Sequence, residues 1–223
     1  MPEQTDQPAK KIYNDPISVA KRTKQKLHLV SGTNKAAMLA HIIKSSDLLQ
    51  AVVITKTKRD ADALSSYLKI QNIDATAIHG NKRAQENESA AKAFGEGEVS
   101  ILITTDMILQ SLELKNIASM VSYNLPTEPN HYLSRLGSMN EAGEAVALVS
   151  PEEERELFEI ERVMRQEIPQ EEVEGFVPTH DTDEKTQSTK NQKKKPRHRK
   201  QKRKTGNKRK ETEDNRPEDT EPS

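Results

Sequence analysis

The segment from 131 to 150, HYLSRLGSMNEAGEAVALVS, has the arrangement of a phosphate-handling loop. A predicted helix carries Arg135, two glycines follow, and an apolar strand comes next. An arginine that stabilises charge on a transferring phosphoryl group raises the rate by about 10³–10⁵. Several arginines are expected in such a site, yet the positions after the first glycine include Ser138 and Glu141. The segment therefore indicates either a phosphate site or the remnant of one.

Small and polar residues also follow four short apolar runs elsewhere in the sequence. Ligands of parallel α/β sheets bind beyond the carboxyl ends of the strands, so these residues are candidates for a ligand face. A glycine there lets a phosphate approach the main chain, and a threonine hydroxyl can donate to it. The four run ends are Thr55-Lys56-Thr57, His79-Gly80-Asn81, Thr105-Asp106 and Asn124-Leu125-Pro126.

The elements that must position these residues alternate between strand and helix. The run AVVIT at 51–55 is short and β-branched, which is typical of a strand buried on both faces. Strand–helix alternation over about 140 residues predicts an α/β fold with a parallel sheet flanked by helices. Strands are predicted at 26–32, 51–55, 75–79, 99–105, 119–124 and 144–150, and helices after Thr33, at 57–70, 83–94 and 151–166, and around Arg135.

Composition divides the chain into three parts. Residues 1–25 are polar and are predicted to be a flexible N-terminal segment, and 26–175 carry the periodic pattern of a folded domain. Residues 176–223 have no periodicity and almost no aromatic side chains, so they are predicted to be a disordered tail. The hydrophobic content of the whole chain, 32%, agrees with a partly unfolded protein.

A basic run within the tail, 190–210, holds 13 Lys or Arg and no acidic residue. Outside it, 22 basic residues remain against 35 acidic ones, so the rest of the chain is net acidic. Such a charge asymmetry predicts that the basic run binds a polyanion. The run has no aromatic residue for base stacking, which predicts electrostatic, non-specific binding. The alternative is a tail that only improves solubility. The candidate binding residues of the run are Lys193, Lys194, Lys195, Arg197, Arg199, Lys200, Lys202, Arg203 and Lys204.

Several classes of protein are excluded by the residues themselves. The chain has no cysteine, which rules out disulfides, cysteine–zinc sites and thiol catalysis. No apolar run approaches the roughly 20 residues of a membrane span, and the N-terminus lacks a signal-peptide core, so a cytoplasmic protein is expected. No GxxxxGK[ST] phosphate loop occurs, and Thr33 is interpreted as a helix cap. No metal site is predicted.

Taken in order, the motifs resemble the second RecA-like domain of a DEAD-box RNA helicase, closest to the bacterial RhlE branch. The resemblance covers about 26–178 and implies a RecA-like sheet that closes on a first domain around ATP and RNA. That first domain, with its phosphate loop and acidic metal motif, is not found in the sequence. The segments that carry the resemblance are AVVITKTKRDADALSSYL, AIHGNKRA, ILITTDMILQSLEL and VSYNLPTEPNHYLSRLG, followed by AGEAVALVSPEEE.

The family's nucleotide motifs are altered in this sequence. Its arginine-rich HRIGRTGR motif is 134–141 here, and the two later arginines, which in the family reach the ATP phosphates, are Ser138 and Glu141. The ARGLD segment is 109–113, where Glu113 replaces the ribose-contacting aspartate. The resemblance therefore predicts a vestigial nucleotide site of Glu113, Arg135, Ser138 and Glu141, with no catalytic residue. ATP and Mg²⁺ are expected as cofactors only if helicase activity persists.

The family's RNA-side positions are better preserved, although the RNA-contacting QxxR has become Ala84 and Asn87. His79, Gly80, Thr105 and Asp106 match family positions near the RNA backbone. Turn formation and sheet packing explain these four residues equally well. For Arg135, pairing with an acid such as Asp106 is favoured over a nucleotide role.

The sequence as a whole predicts a non-catalytic, RNA-binding accessory protein derived from a DEAD-box helicase, a bacterial pseudoenzyme. One alternative is half of an ATP-dependent helicase that works with a separate first domain. The other is a module that docks on a full-length DEAD-box helicase, a ribosome or an RNA-decay assembly. RNA is the expected partner, bound non-specifically by the tail, and no membrane partner is expected.

Overall fold

Six strands form one parallel sheet in the computed structural model of the protein, which describes residues 16–45, 50–112, 114 and 117–178. The strand order is β1-β6-β5-β2-β4-β3, and every neighbouring pair is parallel. The carboxyl ends of all six strands therefore meet at one edge of the sheet. The strands are β1 (Lys24–Leu29), β2 (Ala51–Ile54), β3 (Ala75–Ala77), β4 (Ile101–Thr104), β5 (Ile117–Ser122) and β6 (Met139–Val149).

Helices cover both faces of this sheet. Two of them pack their apolar sides on one face, and the opposite face is covered mainly by the first helix and the last two. None of the helices in the described ranges is long and apolar enough to cross a membrane. The helices are α1 (Pro16–Arg22), α2 (Lys35–Ser45), α3 (Lys58–Ile70), α4 (Ala84–Gly95), α5 (Asp106–Ser111), α6 (Pro129–Gly137) and α7 (Glu154–Met164).

The two central strands β2 and β4 are buried on both faces. All four residues of each are shielded from solvent, and their side chains point alternately into the two apolar layers. Val52 and Leu102 lie in the layer beneath α6, whereas Val53 and Ile103 lie in the layer beneath α2 and α3. The predicted α/β fold with a parallel sheet flanked by helices is confirmed. Of the predicted disordered tail only residues 176–178 are described, and Phe176 packs against the core instead of being disordered. The basic run lies outside the described residues.

The described part of the chain opens with a helix that the sequence does not predict, since residues 16–22 of the segment expected to be flexible form α1. Val19 and Ala20 are buried in the core beside α6 and α7. The Gln25 side chain donates to the Ala20 carbonyl at 2.7 Å and accepts from the Tyr132 hydroxyl at 3.2 Å. A seven-residue helix is too short to show apolar periodicity, so only tertiary packing reveals it.

The predicted loop after α6 is another point of difference. The helix ends at Gly137 and β6 begins at Met139, five residues before the predicted strand start at 144. Met139 pairs with Ile117 at the amino end of β5, and an irregularity in the pairing follows. The backbone is close-packed at Gly143, where an added Cβ would lie 3.2 Å from the Ala118 carbonyl oxygen. The residues between α6 and the predicted strand start, 139–143, are therefore part of the sheet.

Candidate nucleic-acid interface

An open cleft of about 980 Å³ lies at the carboxyl edge of the sheet, as the strand-end residues predict. Its walls come from the turns after β2, β3, β4 and β5, together with the start of α6. The lining combines apolar and polar side chains, and three cationic side chains come from the turn after β2 and the start of α3. Lining residues include Lys56, Lys58, Arg59, Asn81, Thr105 and Asp106.

The amino terminus of α3 forms one wall of the cleft. Thr57 caps this thirteen-residue helix by accepting from the Asp60 amide at 3.1 Å, and its hydroxyl lies 2.7 Å from the Asp60 carboxylate. Lys58 extends along the wall and donates to Asn81 at 2.8 Å. A helix amino terminus with adjacent lysine and arginine favours an anion, because backbone N–H groups and the helix dipole both attract negative charge.

Thr105 contributes a polar atom that has no partner in the described part of the protein. The residue is 8% exposed and lies at the start of α5, where its hydroxyl makes no capping bond. Its Oγ1 is one of two buried side-chain oxygen or nitrogen atoms without a hydrogen bond among the described residues. An unpaired buried hydroxyl is costly, so a ligand oxygen that accepted from it would recover a hydrogen bond.

Arg135 lies beneath the same cleft and is almost completely buried, with 1% exposure. Its guanidinium binds the Asp106 carboxylate with two parallel bonds, from Nε at 2.6 Å and from Nη2 at 2.7 Å. Nη1 donates to the Ser122 hydroxyl at 2.9 Å and to the Asn124 carbonyl at 3.0 Å. The pairing of Arg135 with Asp106 expected from the sequence is confirmed. All three nitrogens of the guanidinium are used inside the fold.

His79 is part of the framework beside the cleft. The residue is 4% exposed, its Nδ1 accepts from the Asn81 amide, and its Nε2 donates to Asp62 at 2.9 Å. Asn87 holds its backbone on both sides, accepting from the His79 amide at 3.2 Å and donating to the His79 carbonyl at 3.1 Å. These contacts favour the turn-forming role of His79. Gly80 remains exposed beside Lys58 and Met107.

A buried ion pair lies next to the cleft, outside its lining. Lys35, at the start of α2, is 2% exposed and donates to the Glu153 carboxylate and to the Tyr123 carbonyl, the latter at 2.8 Å. Burial lowers the pKa of Lys35, against the opposing effect of Glu153. Burial also disfavours ionised Glu153, but hydrogen bonds from Lys35, Ser150 and Leu125 outweigh it and lower the pKa of Glu153.

The charges around the cleft are mixed. Lys56, Lys58 and Arg59 are positive, whereas Asp60 and Glu128 also line the cleft and Asp106 is neutralised by its buried arginine. The surface can therefore position a phosphate without attracting polyanions strongly at long range. This balance agrees with the net acidic charge of the chain outside the basic run.

The predicted site residues are not all brought together. Gly80, Thr105, Asp106 and Arg135 lie at or directly beneath the cleft. Ser138 lies at the far end of α6, where its carbonyl accepts from the Ile117 amide at the amino edge of the sheet. The side chain of Glu141 is not described, and Glu113 and the basic run lie outside the described residues.

The sequence places Thr55-Lys56-Thr57 on the ligand face, but it did not lead us to name the cations of this turn as site residues. Lys56, Lys58 and Arg59 all follow a fully buried strand, and the same strand-end argument that selected Thr105 selects them too. Asn87 was recognised only as a departure from an arginine. Its role as a clamp on His79 depends on a contact between α4 and the preceding turn that no sequence pattern indicates.

Comparison with known proteins agrees with this fold. Residues 34–143 match the family model described as the helicase conserved C-terminal domain. The DEAD-box ATP-dependent RNA helicase RhpA of Helicobacter pylori is 26% identical over 179 residues, covering 75% of this chain and 36% of RhpA. The chain thus spans about a third of the length of this curated relative.

Two solved structures illustrate the likeness. A DEAD box protein from Methanococcus jannaschii is 27% identical with a TM-score of 0.64, covering 69% of this chain and 43% of that one. Escherichia coli SrmB, solved bound to RraA, is 20% identical with a TM-score of 0.65, covering 71% of this chain and 95% of that one. The folded part of this protein therefore has a RecA-like fold and is similar to the C-terminal, second RecA-like domains of DEAD-box RNA helicases.

Proposed function

We propose that the protein is a non-catalytic RNA-binding accessory derived from a DEAD-box helicase. The observation that carries the proposal is the connection between α6 and β6. Ser138 and Glu141 occupy the positions expected to supply arginines to a nucleotide, and Met139 already pairs with β5. An arginine that contacts a phosphoryl group accounts for several orders of magnitude in rate, so its loss at both positions favours an inactive site.

Arg135 does not compensate for these positions. Its guanidinium binds Asp106, Ser122 and Asn124, and its side chain is 2% exposed. Moving it to a nucleotide would leave the Asp106 carboxylate without its bidentate partner, which is strongly unfavourable for a largely buried charge. We therefore assign Arg135 to structure.

RNA is the proposed ligand class, in keeping with the RNA helicases that the chain resembles. The cleft offers Lys58, Arg59, the α3 amino terminus and the Thr105 hydroxyl to a sugar-phosphate backbone. The basic run adds 13 cations in 21 residues and is proposed to supply most of the affinity. The cleft would then fix the path of an RNA that the basic run attracts. Neither ATP nor Mg²⁺ is proposed as a cofactor.

The test of this function is ATP hydrolysis by the purified chain with and without saturating single-stranded RNA. We expect no turnover above a protein-free blank, while RNA binding is measurable in the same buffer. RNA-stimulated hydrolysis would contradict the proposal. Turnover that appears only after a separate first RecA-like domain is added would favour a half-helicase, and RNA-independent capture of a full-length DEAD-box helicase or a ribosome would favour a docking module.

A further inference from the structure

The ion pair between Lys35 and Glu153 is buried at the carboxyl edge of the sheet, next to the cleft but outside its lining. The exposed fractions of the two side chains are 3% and 15%. Lys35 is the first residue of α2, and Glu153 ends the short 3₁₀ turn that precedes α7. The pair therefore joins the segments that follow the neighbouring strands β1 and β6.

Both members of the pair also bind the turn that follows β5. Lys35 Nζ donates to the Tyr123 carbonyl at 2.8 Å, and the Leu125 amide donates to Glu153 Oε1 at 3.1 Å. These two backbone groups lie on either side of Asn124. The Lys35 ammonium also lies 5.8 Å from the centre of the Tyr123 ring, at the distance of a cation–π contact.

Asn124, which lies between these two backbone groups, connects the ion pair to the cleft. Its side-chain oxygen accepts from the Lys56 amide at 3.2 Å, which fixes the backbone of the cationic turn after β2. Its carbonyl accepts from Arg135 Nη1 at 3.0 Å, and Arg135 in turn holds Asp106 beside Thr105. One buried pair thus connects, through a single residue, with both polar walls of the cleft.

Stability alone explains this pair poorly. Desolvation of two charges often cancels their attraction, and well-packed apolar residues at such positions are frequently as stabilising. Glu153 nevertheless satisfies three other groups, since it accepts from the Ser150 amide, the Ser150 hydroxyl and the Leu125 amide. A charged pair with so many directed bonds defines a geometry more strictly than apolar packing does.

We propose that Lys35 and Glu153 are positioning residues that set the 123–126 turn, and through Asn124 the cationic wall of the cleft, in its RNA-receptive geometry. The proposal rests on the function proposed above for the cleft. Neither residue contacts RNA. Their removal weakens RNA contact at the cleft more than it weakens binding by the basic run, which lies elsewhere in the sequence.

The test is an NMR titration of the ¹⁵N-labelled full-length chain with a ten-nucleotide oligouridylate, following the amides of Lys58 and Asn81. Lys35→Met retains the length of the side chain and removes its charge. We expect the dissociation constant read at the cleft amides to rise about fivefold, the size of one or two lost hydrogen bonds. The matched control is Lys26→Met, which breaks the half-buried pair between Lys26 of β1 and Glu144 of β6 and should leave that constant unchanged.

Glu153→Gln provides a second variant, since it keeps an oxygen acceptor for Leu125 if Lys35→Met does not fold. It should weaken cleft binding in the same direction by about twofold. An additional measurement separates positioning from general destabilisation. In the absence of RNA, the NMR signal of the Lys56 amide, which donates to Asn124, should shift in both variants but not in Lys26→Met.

Two results would overturn the proposal in distinguishable ways. If the unchanged chain shows RNA-induced shifts at Lys58 and Asn81 and both variants bind with the same constant as Lys26→Met, the pair has no positioning role and the cleft function stands. If the unchanged chain shows no shifts at these amides while RNA binds elsewhere, the cleft function itself is wrong and the positioning role fails with it.

Discussion

Arg135 matches an arginine of the family's nucleotide motif, yet in this protein its side chain stabilises the fold. Its four hydrogen bonds connect α6 to the ends of β4 and β5. The sequence favoured the pairing of Arg135 with an acid such as Asp106, and the structure shows that pair. The sequence could not predict that Ser122 and Asn124 would bind the remaining donor nitrogen.

Arg135→Ala should lower the free energy of unfolding by about 2–3 kcal/mol, somewhat less than the 3–5 expected for a fully buried pair because the Asp106 side chain is 21% exposed. Urea unfolding measures the change. Arg162→Ala is the control, since it breaks an exposed pair with Glu159 and should change stability by less than about 0.5 kcal/mol. Equal effects of the two substitutions would contradict the structural role of Arg135.

Asn87 explains why His79 belongs to the framework. Asn87→Ala removes both hydrogen bonds to the His79 backbone and should cost about 1–3 kcal/mol of stability. Glu88→Ala, at an exposed position of the same helix, serves as the control in the same urea experiment. A loss no greater than that of the control would show that the turn after β3 holds its shape without the clamp.

At the scale of elements, sequence reasoning found most of the strands because buried parallel strands are short apolar runs. The run AVVIT and the alternating KLHLVSG both became strands of the sheet. The short helices α1 and α5 were missed, since six or seven residues carry too little periodicity. The early start of β6 was missed because pairing with Ile117, a contact distant in sequence, extends the strand through polar residues.

Glu153, just before α7, should make the stability of the protein depend on pH in the acid range. Its folded-state pKa lies below the ordinary value of 4.5, so its contribution to stability is complete above that value and is lost as pH falls through the folded pKa. Glu153→Gln cannot titrate. The variant should be less stable than the unchanged chain near neutrality, and the difference should shrink in urea unfolding as pH falls below 4.5. A difference that stays constant with pH would show that ionised Glu153 is not stabilised by its hydrogen bonds.

At the scale of the whole molecule, charge is divided between an acidic remainder and one basic run. Outside 190–210 the chain has 22 basic and 35 acidic residues, and the described cleft has charges of both signs. Long-range attraction of RNA is therefore expected from the run, and local placement from the cleft. Composition alone predicts the long-range attraction by the basic run. The cleft could be located only in the structure, because the sheet brings together four turns that are separated in sequence.

The most direct test is a salt titration of RNA binding by the full chain and by a chain that ends at Thr189, using unrelated single-stranded RNAs. Each neutralised phosphate contributes about −0.7 to the slope of log K against log salt. If about 6–10 cations of the run engage, the full chain should give a slope of about −4 to −7, bind all RNAs similarly and lose most of its affinity on truncation. Equal affinity of the truncated chain, or strong preference of the full chain for one RNA, would contradict the account.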